Sequence, residues 1–522
     1  MTQKECSLRE KILQTVMLRH KNDIPLREQV GGIFFGAEVI QDVDETNLDT
    51  ARELLAQYKE QTSIPPLIAA DFENGCGSVL KGLTVLPFLS SLGATADPKL
   101  AYDYGKATAL EALSIGANWS FSPVADLFLN PRNPIVNVRS LTDDPDLACK
   151  LLPQVIRGMQ ENGLAACAKH FPGDGVDYRD QHITTSCNSL SIEDWWKLSG
   201  RVFEEMIRAG VMSIMPGHIT LPAYQQERSI NELPLPATLS SELMEKLLKK
   251  EMGFAGVVIS DALDMGGFNG WYSSRRRSEV EAFKAGCDMM LWPTEHYVDD
   301  MVEAIENGYV PMERLDDAVE RIFTMKEKLG LFEGGQKAIP LSREEQEFVL
   351  ATQQKTAENS ITLVRDNGKL LPVTTQRYQK ITVIPIAHHI PAFEDAELLC
   401  RELEAEGFQV RYCPEALKFD QLEPILQEDS DLVIFALFSR SHRPVGFLDF
   451  HSKEAMKIWK SLYVATEKSL VVSFGSPHFG SQYFEKAPTY VNAYSMLSPS
   501  VKAFVKAATG KVPFGEFSPV KL

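Results

Sequence analysis

Seven short apolar runs with amphipathic helical stretches between them fill the first 330 residues of this chain and restrict it to a β/α-alternating architecture. The runs cover 30–35, 66–71, 118–126, 164–170, 211–215, 256–261 and 288–292. Helical patterns lie between them at 49–59, 101–115, 146–162, 192–209, 240–251 and 278–285, with Ser240 placed to cap its helix. This spacing suits strands of a parallel sheet joined by helices. Polar residues recur where the runs end: Asp71, Asp126, Lys169 with His170, His218 and Asp261. In a (β/α)8 TIM-type barrel the active site gathers at the carboxyl ends of the strands, so that fold explains the pattern best even though an eighth strand is not evident. A dinucleotide-binding sheet would need a glycine-rich loop after an early strand, whereas Gly31 and Gly32 lie inside a run.

Residues 331–345, LFEGGQKAIPLSREE, interrupt the alternation with glycine and proline. A second alternating region follows, with strands near 360–364, 380–385, 409–412, 432–437 and 470–473 and helices near 396–406, 453–465 and 500–508. The expected organisation is a catalytic barrel at 1–330, a linker at 331–355 and a smaller α/β layered (sandwich) domain at 356–522, a division that 522 residues favour over a single core. Segments 439–449 and 475–478 read as surface loops.

A formal charge of −18 argues against nucleic acid or an anionic membrane as partner. No apolar stretch approaches the roughly 18 residues of a membrane span. The N-terminus lacks the apolar core of a secretory signal. The eight cysteines are scattered without a CxxC pair, which fits reduced thiols and argues against a metal site, so a cytoplasmic location is expected.

The chemistry concentrates in Lys169-His170-Phe171-Pro172-Gly173-Asp174-Gly175 and, after four residues, Asp180-Gln181-His182. Lys169 and His170 close a strand and can bind sugar hydroxyls, since the ammonium only donates while imidazole donates or accepts. Phe171-Pro172-Gly173 turns the chain into what reads as a mobile loop carrying Asp180 and His182. Histidine titrates near pH 6.5 and an adjacent carboxylate can orient its ring, so the pair can act as acid and base; a solvated turn is the plainer reading of the triplet alone. Asp261, at the end of Gly256-Val257-Val258-Ile259-Ser260, can attack an anomeric carbon or simply cap the next turn, and Asp264 competes with it.

The fourteen residues KHFPGDGVDYRDQH resemble, without gaps, the KHFPGHG-x4-D-x-H element of the β-N-acetylglucosaminidase (NagZ-like) branch of glycoside hydrolase family 3. Collinear resemblances follow: Met215-Pro216-Gly217-His218 to MPAH, Val258-Ile259-Ser260-Asp261-Ala262-Leu263 to the nucleophile strand, Asp71-Phe72-Glu73-Asn74-Gly75 to DQEGG, and Phe121-Ser122-Pro123-Val124-Ala125-Asp126 with Arg139-Ser140 to FAPVLD and R-x-F. Asn359 to Val364 and Leu370-Leu371-Pro372 extend the resemblance into the second domain. It implies Asp261 as nucleophile, His182 as general acid/base, Asp180 as its dyad partner, and Asp71, Arg139, Lys169 and His170, with His218 as a weaker match, as sugar-binding residues. A retaining β-N-acetylhexosaminidase needing no cofactor is then expected, acting on an N-acetylglucosamine-containing glycoside. Transfer to inorganic phosphate and an inactive sugar-binding scaffold are the alternatives.

Two departures stand out. Asp174 replaces the pattern's histidine, and Cys76-Gly77-Ser78-Val79-Leu80-Lys81 replaces the arginine-bearing RVxR, where Lys81 cannot reproduce a bidentate guanidinium contact. The second departure bears on the anhydromuramic part of the usual substrate more than on N-acetylglucosamine.

Overall fold

The computed structural model describes residues 5–19, 29–36, 48–60, 62–334, 337–387, 392–415, 430–439, 450, 452–461, 464 and 466–522. In its first part eight parallel strands close a barrel: β1 Val16–Arg19, β2 Gly32–Phe34, β3 Leu67–Ala70, β4 Trp119–Ser120, β5 Cys167–Phe171, β6 Ser213–Pro216, β7 Val257–Val258 and β8 Met290–Leu291. Two hydrogen-bonded sets, β8-β1-β2-β3-β4 and β5-β6-β7, meet at parallel bridges between Trp119 and Ala165 and between Ile259 and Met289. The strand missing from the sequence reading is β1. It follows the helix Leu8–Gln14 after a single residue, Thr15, and Val16 is its only β-branched member, so neither composition nor punctuation sets it apart.

Strand alternation sorts the apolar side chains into two layers. Met17, Phe34, Leu67, Ala69, Trp119, Ala165, Cys167, Val257, Ile259, Met289 and Leu291 share the barrel interior. Ile33, Ile68, Ala70, Ala166, Ala168, Ile214, Val258 and Met290 pack outward against the helices. The interior cluster also takes in Ile322 and Met325 from helix Met312–Lys328.

Lys326 of that helix is fully buried, its Nζ donating to Gln14 Oε1 at 2.7 Å. Burial pushes its ammonium down to about 7, against roughly 10.4 in an unfolded chain. The unfolded state therefore binds more protons between these values. The native state is destabilised in full below about pH 7, and the cost fades as pH rises towards 10. Lys326→Met removes that cost, on the order of several kcal/mol, and loses a hydrogen bond worth about 1 kcal/mol at every pH. Its Tm advantage over the parent is expected to be largest below pH 7 and to shrink by pH 10; a pH-independent difference contradicts this.

Between the two parts, Leu331–Glu333 forms a short 3-10 turn and Arg343–Ser360 a helix opened by a reciprocal Ser342–Glu345 capping box. This helix packs on the barrel-side helices Leu89–Thr95 and Pro98–Ser114. The second part holds one six-stranded sheet: β9 Thr362–Asp366, β10 Lys380–Ala387, β11 Gln409–Tyr412, β12 Leu432–Phe438, β13 Ser469–Phe474 and β14 Thr489–Asn492. Their order is β9-β14-β13-β12-β10-β11, parallel except where β9 pairs with β14. Apolar clusters cover both faces, as a central parallel sheet requires.

The chain's last residues return to the barrel: Lys521 N–H donates to Asp143 Oδ2 at 2.8 Å, and Val520 packs with Phe128 and Val136. Residues 475–478, expected as a surface loop, are instead buried. His478 lies edge-on to Phe128 with ring centroids 5.0 Å apart, while Ser476 N–H donates to Ser439 Oγ and the Tyr490 hydroxyl to Pro477 O, so contacts within the second part and across to the first take the segment out of water. Residues 440–449 of the other expected loop lie outside the described residues. Among the described residues no helix is long and apolar enough to cross a membrane.

Candidate active site

The alternation that fills the barrel also selects what emerges at its carboxyl end. Asp71 continues the inward series Leu67, Ala69; Lys169 continues Ala165, Cys167; Asp261 continues Val257, Ile259. Three inward side chains that would otherwise extend an apolar core are therefore ionisable, and they converge on the mouth.

Lys169 is 2% exposed, its Nζ 2.7 Å from Asp71 Oδ1 and 2.6 Å from Glu73 Oε1. Arg139, on the turn Asn137–Arg139, grips Glu73 bidentately through Nε at 2.8 Å and Nη2 at 2.7 Å. Two buried cations thus meet two carboxylates, and the charges cancel. Burial opposes the charge of Lys169, but Asp71 and Glu73 more than compensate and raise its pKa. Burial likewise opposes Arg139, and Glu73 overcomes it. Glu73 lies inside the Asp71 to Gly75 stretch, where its sequence context assigns it no role of its own. Its signal was its place two residues beyond Asp71, reaching the same mouth.

His170 donates from Nδ1 to Asp126 Oδ2 at 2.7 Å, and its backbone N–H reaches Asp126 Oδ1 at 3.1 Å. Its Nε2 is thereby turned towards Asp261 Oδ2, 4.0 Å away. The Asp126 partnership is not visible in the sequence, although the residue ends an apolar run. Burial pushes the Asp261 carboxyl up, but His170, His218, His182 and the Ala262 N–H, donating to Oδ1 at 2.8 Å, hold it below the ordinary carboxylate value.

His218 is fully buried with both ring nitrogens engaged: Nε2 donates to Ala262 O and Nδ1 accepts from Thr238 Oγ1, each at 3.0 Å. Burial lowers its pKa against the pull of Asp261. Its ring braces the residue after Asp261. Lys81 is exposed, beyond the 3-10 turn Cys76–Ser78.

The loop after β5 holds Asp180 and His182 as a pair, Nδ1 to Oδ1 at 2.7 Å, with the His182 N–H also donating to Oδ1 at 2.8 Å. Asp180 is fully buried and His182 partly exposed, so the aspartate fixes Nδ1 as donor and leaves Nε2 for a ligand. This loop, expected to be mobile, is tied down along its length. Trp195 Nε1 donates to Pro172 O at 2.7 Å and the Cys187 N–H to Asp177 Oδ2 at 2.7 Å. It is also stitched to the segment following Asp261: Gly266 N–H donates to His182 O at 2.8 Å and Gly267 N–H to Gln181 O at 3.0 Å. A Cβ on Gly266 would lie 2.1 Å from Ile183 O, so the close approach requires glycine there.

Asp174 is buried beneath this loop. Its Oδ1 accepts from Asn133 Nδ2 at 3.1 Å and Gly175 N–H at 2.9 Å, and its Oδ2 from Gln181 Nε2 at 3.2 Å. Burial and the Asp126 carboxylate push its carboxyl up to about 7.

The glycosyl hydrolase family 3 N-terminal domain profile matches residues 7–325. The chain is 32% identical over 518 residues to a protein of Cellulomonas fimi named β-N-acetylglucosaminidase/β-glucosidase, covering 94% of this chain and 88% of that protein. Among solved structures, β-glucoside phosphorylase BglX superposes with a TM-score of 0.86 at 28% identity, covering 99% of this chain and 94% of the other. A family 3 β-N-acetylglucosaminidase from Paenibacillus sp. strain FPU-7 superposes with a TM-score of 0.82 at 26% identity, covering 99% of both chains.

Proposed function

Since the chain belongs to glycoside hydrolase family 3, we propose that it is a retaining β-N-acetylglucosaminidase, with Asp261 as nucleophile and His182, oriented by Asp180, as general acid/base. The observation that carries this reading is the stitching of the loop bearing the Asp180–His182 pair to the segment that follows a carboxylate held below its ordinary pKa. An ionised Asp261 attacks C1 as the bond from C1 to the aglycone oxygen breaks, and His182 Nε2–H gives that oxygen its proton. In the second step neutral Nε2 takes a proton from water as the water oxygen attacks C1 and the ester to Asp261 breaks, restoring the β configuration. Asp71, Arg139, Lys169 and His170 bind the sugar at the mouth, and His218 supports the Asp261 strand end through Ala262. The preference for an N-acetylglucosaminide is supported by the relatives that carry that name over nearly the whole chain.

A second reading replaces water by phosphate in the deglycosylation step. It is favoured by the similarity to a β-glucoside phosphorylase and by the acid/base being an imidazole, whose neutral form does not repel an incoming dianion as a carboxylate would. Turnover of an aryl β-N-acetylglucosaminide, followed by NMR with and without phosphate, separates the two. The expected result is β-N-acetylglucosamine as first product, at a rate indifferent to phosphate. N-acetylglucosamine 1-phosphate would select the second reading, and the α-anomer formed first would overturn the retaining mechanism.

A further inference from the structure

The side chain of Gln181 sits between the two dyad residues in sequence but points away from them, fully buried, into a bracket that no step of the proposed chemistry uses. Its orientation is fixed by a donor that cannot be reversed: the backbone N–H of His218 donates to Oε1 at 2.9 Å, so the amide oxygen faces His218 and Nε2 faces Asp174 Oδ2. Asp174 is equally constrained. Asn133 uses its Oδ1 to accept the N–H groups of Ile135 and Val136, so its Nδ2 is a donor towards Asp174 Oδ1, where the Gly175 N–H also donates. The Asp174 side chain therefore accepts three hydrogen bonds from the protein. Its backbone N–H donates to Asp126 Oδ1 at 2.7 Å, on the carboxylate that orients His170.

Space is arranged around the same amide. Position 217 is glycine, and a Cβ there would lie 2.9 Å from Gln181 Oε1 and 3.0 Å from His170 Cβ. Asp174 differs from the histidine of the pattern that this loop otherwise matches and Gly217 from the alanine of MPAH, and they flank Gln181 on its two sides.

We infer that Asp174 is a positioning residue for the acid/base dyad: through Gln181 it holds Asp180 and His182 in register with the strand end at His218 and with the His170–Asp126 pair. The inference rests on the reading of His182 as acid/base.

The hydrogen-bond polarity supplies a test. In Asp174→Asn the new amide keeps two bonds if its oxygen faces Asn133 and Gly175, which puts its NH2 against Gln181 Nε2–H. Gln181 can relieve the donor–donor contact only by turning its own NH2 towards the His218 N–H. Adding Gln181→Glu supplies a carboxylate that accepts from both sides. Asp174→Asn is expected to lower kcat on 2,4-dinitrophenyl β-N-acetylglucosaminide by roughly 10- to 100-fold, as for a misplaced catalytic group. Azide, which attacks the glycosyl-enzyme without a base, should restore most of that loss. The double variant Asp174→Asn/Gln181→Glu should return to within about threefold of the parent without azide. Gly217→Ala, whose Cβ would meet Ile219 Cδ1 at 2.6 Å as well as Gln181 Oε1 and His170 Cβ but not Asp174, should show the same azide-reversible loss, and it carries the test if Asp174→Asn does not fold. Activity of Asp174→Asn within about twofold of the parent, or a loss that neither azide nor Gln181→Glu reverses, overturns the inference, provided His182→Ala responds to azide. If His182→Ala does not respond, the acid/base reading itself falls.

Discussion

Replacing Asp261 by glycine is expected to lower kcat/KM on an aryl β-N-acetylglucosaminide by about 10⁵-fold, the scale seen when a covalent nucleophile is deleted. Sugar binding should survive, because Lys169, Asp71, Glu73 and Arg139 hold one another without Asp261. Azide added to this variant should enter from the vacated face and give the α-glycosyl azide after a single inversion. Formation of the β-azide would show that another residue forms the covalent bond. Competition by N-acetylglucosamine should be unchanged, which separates loss of the nucleophile from loss of the site. Because the surrounding histidines hold the parent carboxyl low, the acid limb of kcat/KM that reports Asp261 should lie below the ordinary carboxylate range.

Replacing His182 by alanine is the second large effect, a loss of roughly 10²- to 10⁴-fold in kcat/KM for aglycones whose departure needs a proton. A leaving group such as 2,4-dinitrophenolate departs without a proton, so the first step should be nearly spared and the glycosyl-enzyme should accumulate. A sugar or alkyl aglycone needs the proton and should show the largest loss. Azide should here restore turnover and yield the β-glycosyl azide, the opposite configuration from the Asp261 variant. A uniform loss across leaving groups would place His182 in binding and not in proton transfer.

Much of the fold was legible because the strands obey simple rules. Val257, Ile259 and Asp261 differ only in polarity along one inward face, so a run that stops abruptly at a carboxylate already marks a barrel mouth. β1 escaped because Val16 is its only β-branched residue, whereas Thr489, Tyr490 and Val491 give β14 a strand composition that the sequence reading passes over; each is defined by neighbours distant in sequence, Met290 and Gly32 for one and Leu363 and Leu470 for the other.

The ionisable residues were visible individually, but their partnerships were not. Arg139 and Lys169 stand out as candidate sugar contacts, but that both also pair with Glu73, 66 residues from Arg139 in the chain, emerges only on folding. The burial of 475–478 follows from Ser439, Tyr490 and, across the boundary between the two parts, Phe128, contacts that no local pattern encodes. Asp174 looked like an isolated anomaly in the sequence. Its three donors come from a loop after β4, from its own turn and from the dyad loop, and only folding assembles them.

The central claim is covalent catalysis at Asp261, and trapping tests it most directly. Incubation with a 5-fluoro N-acetylglucosaminyl fluoride, followed by proteolysis and mass mapping, should give one glycosylated peptide with the label on Asp261, and none in the Asp261→Gly variant. Label on another carboxylate such as Asp264, or no label in a folded protein that still binds N-acetylglucosamine, would contradict the account.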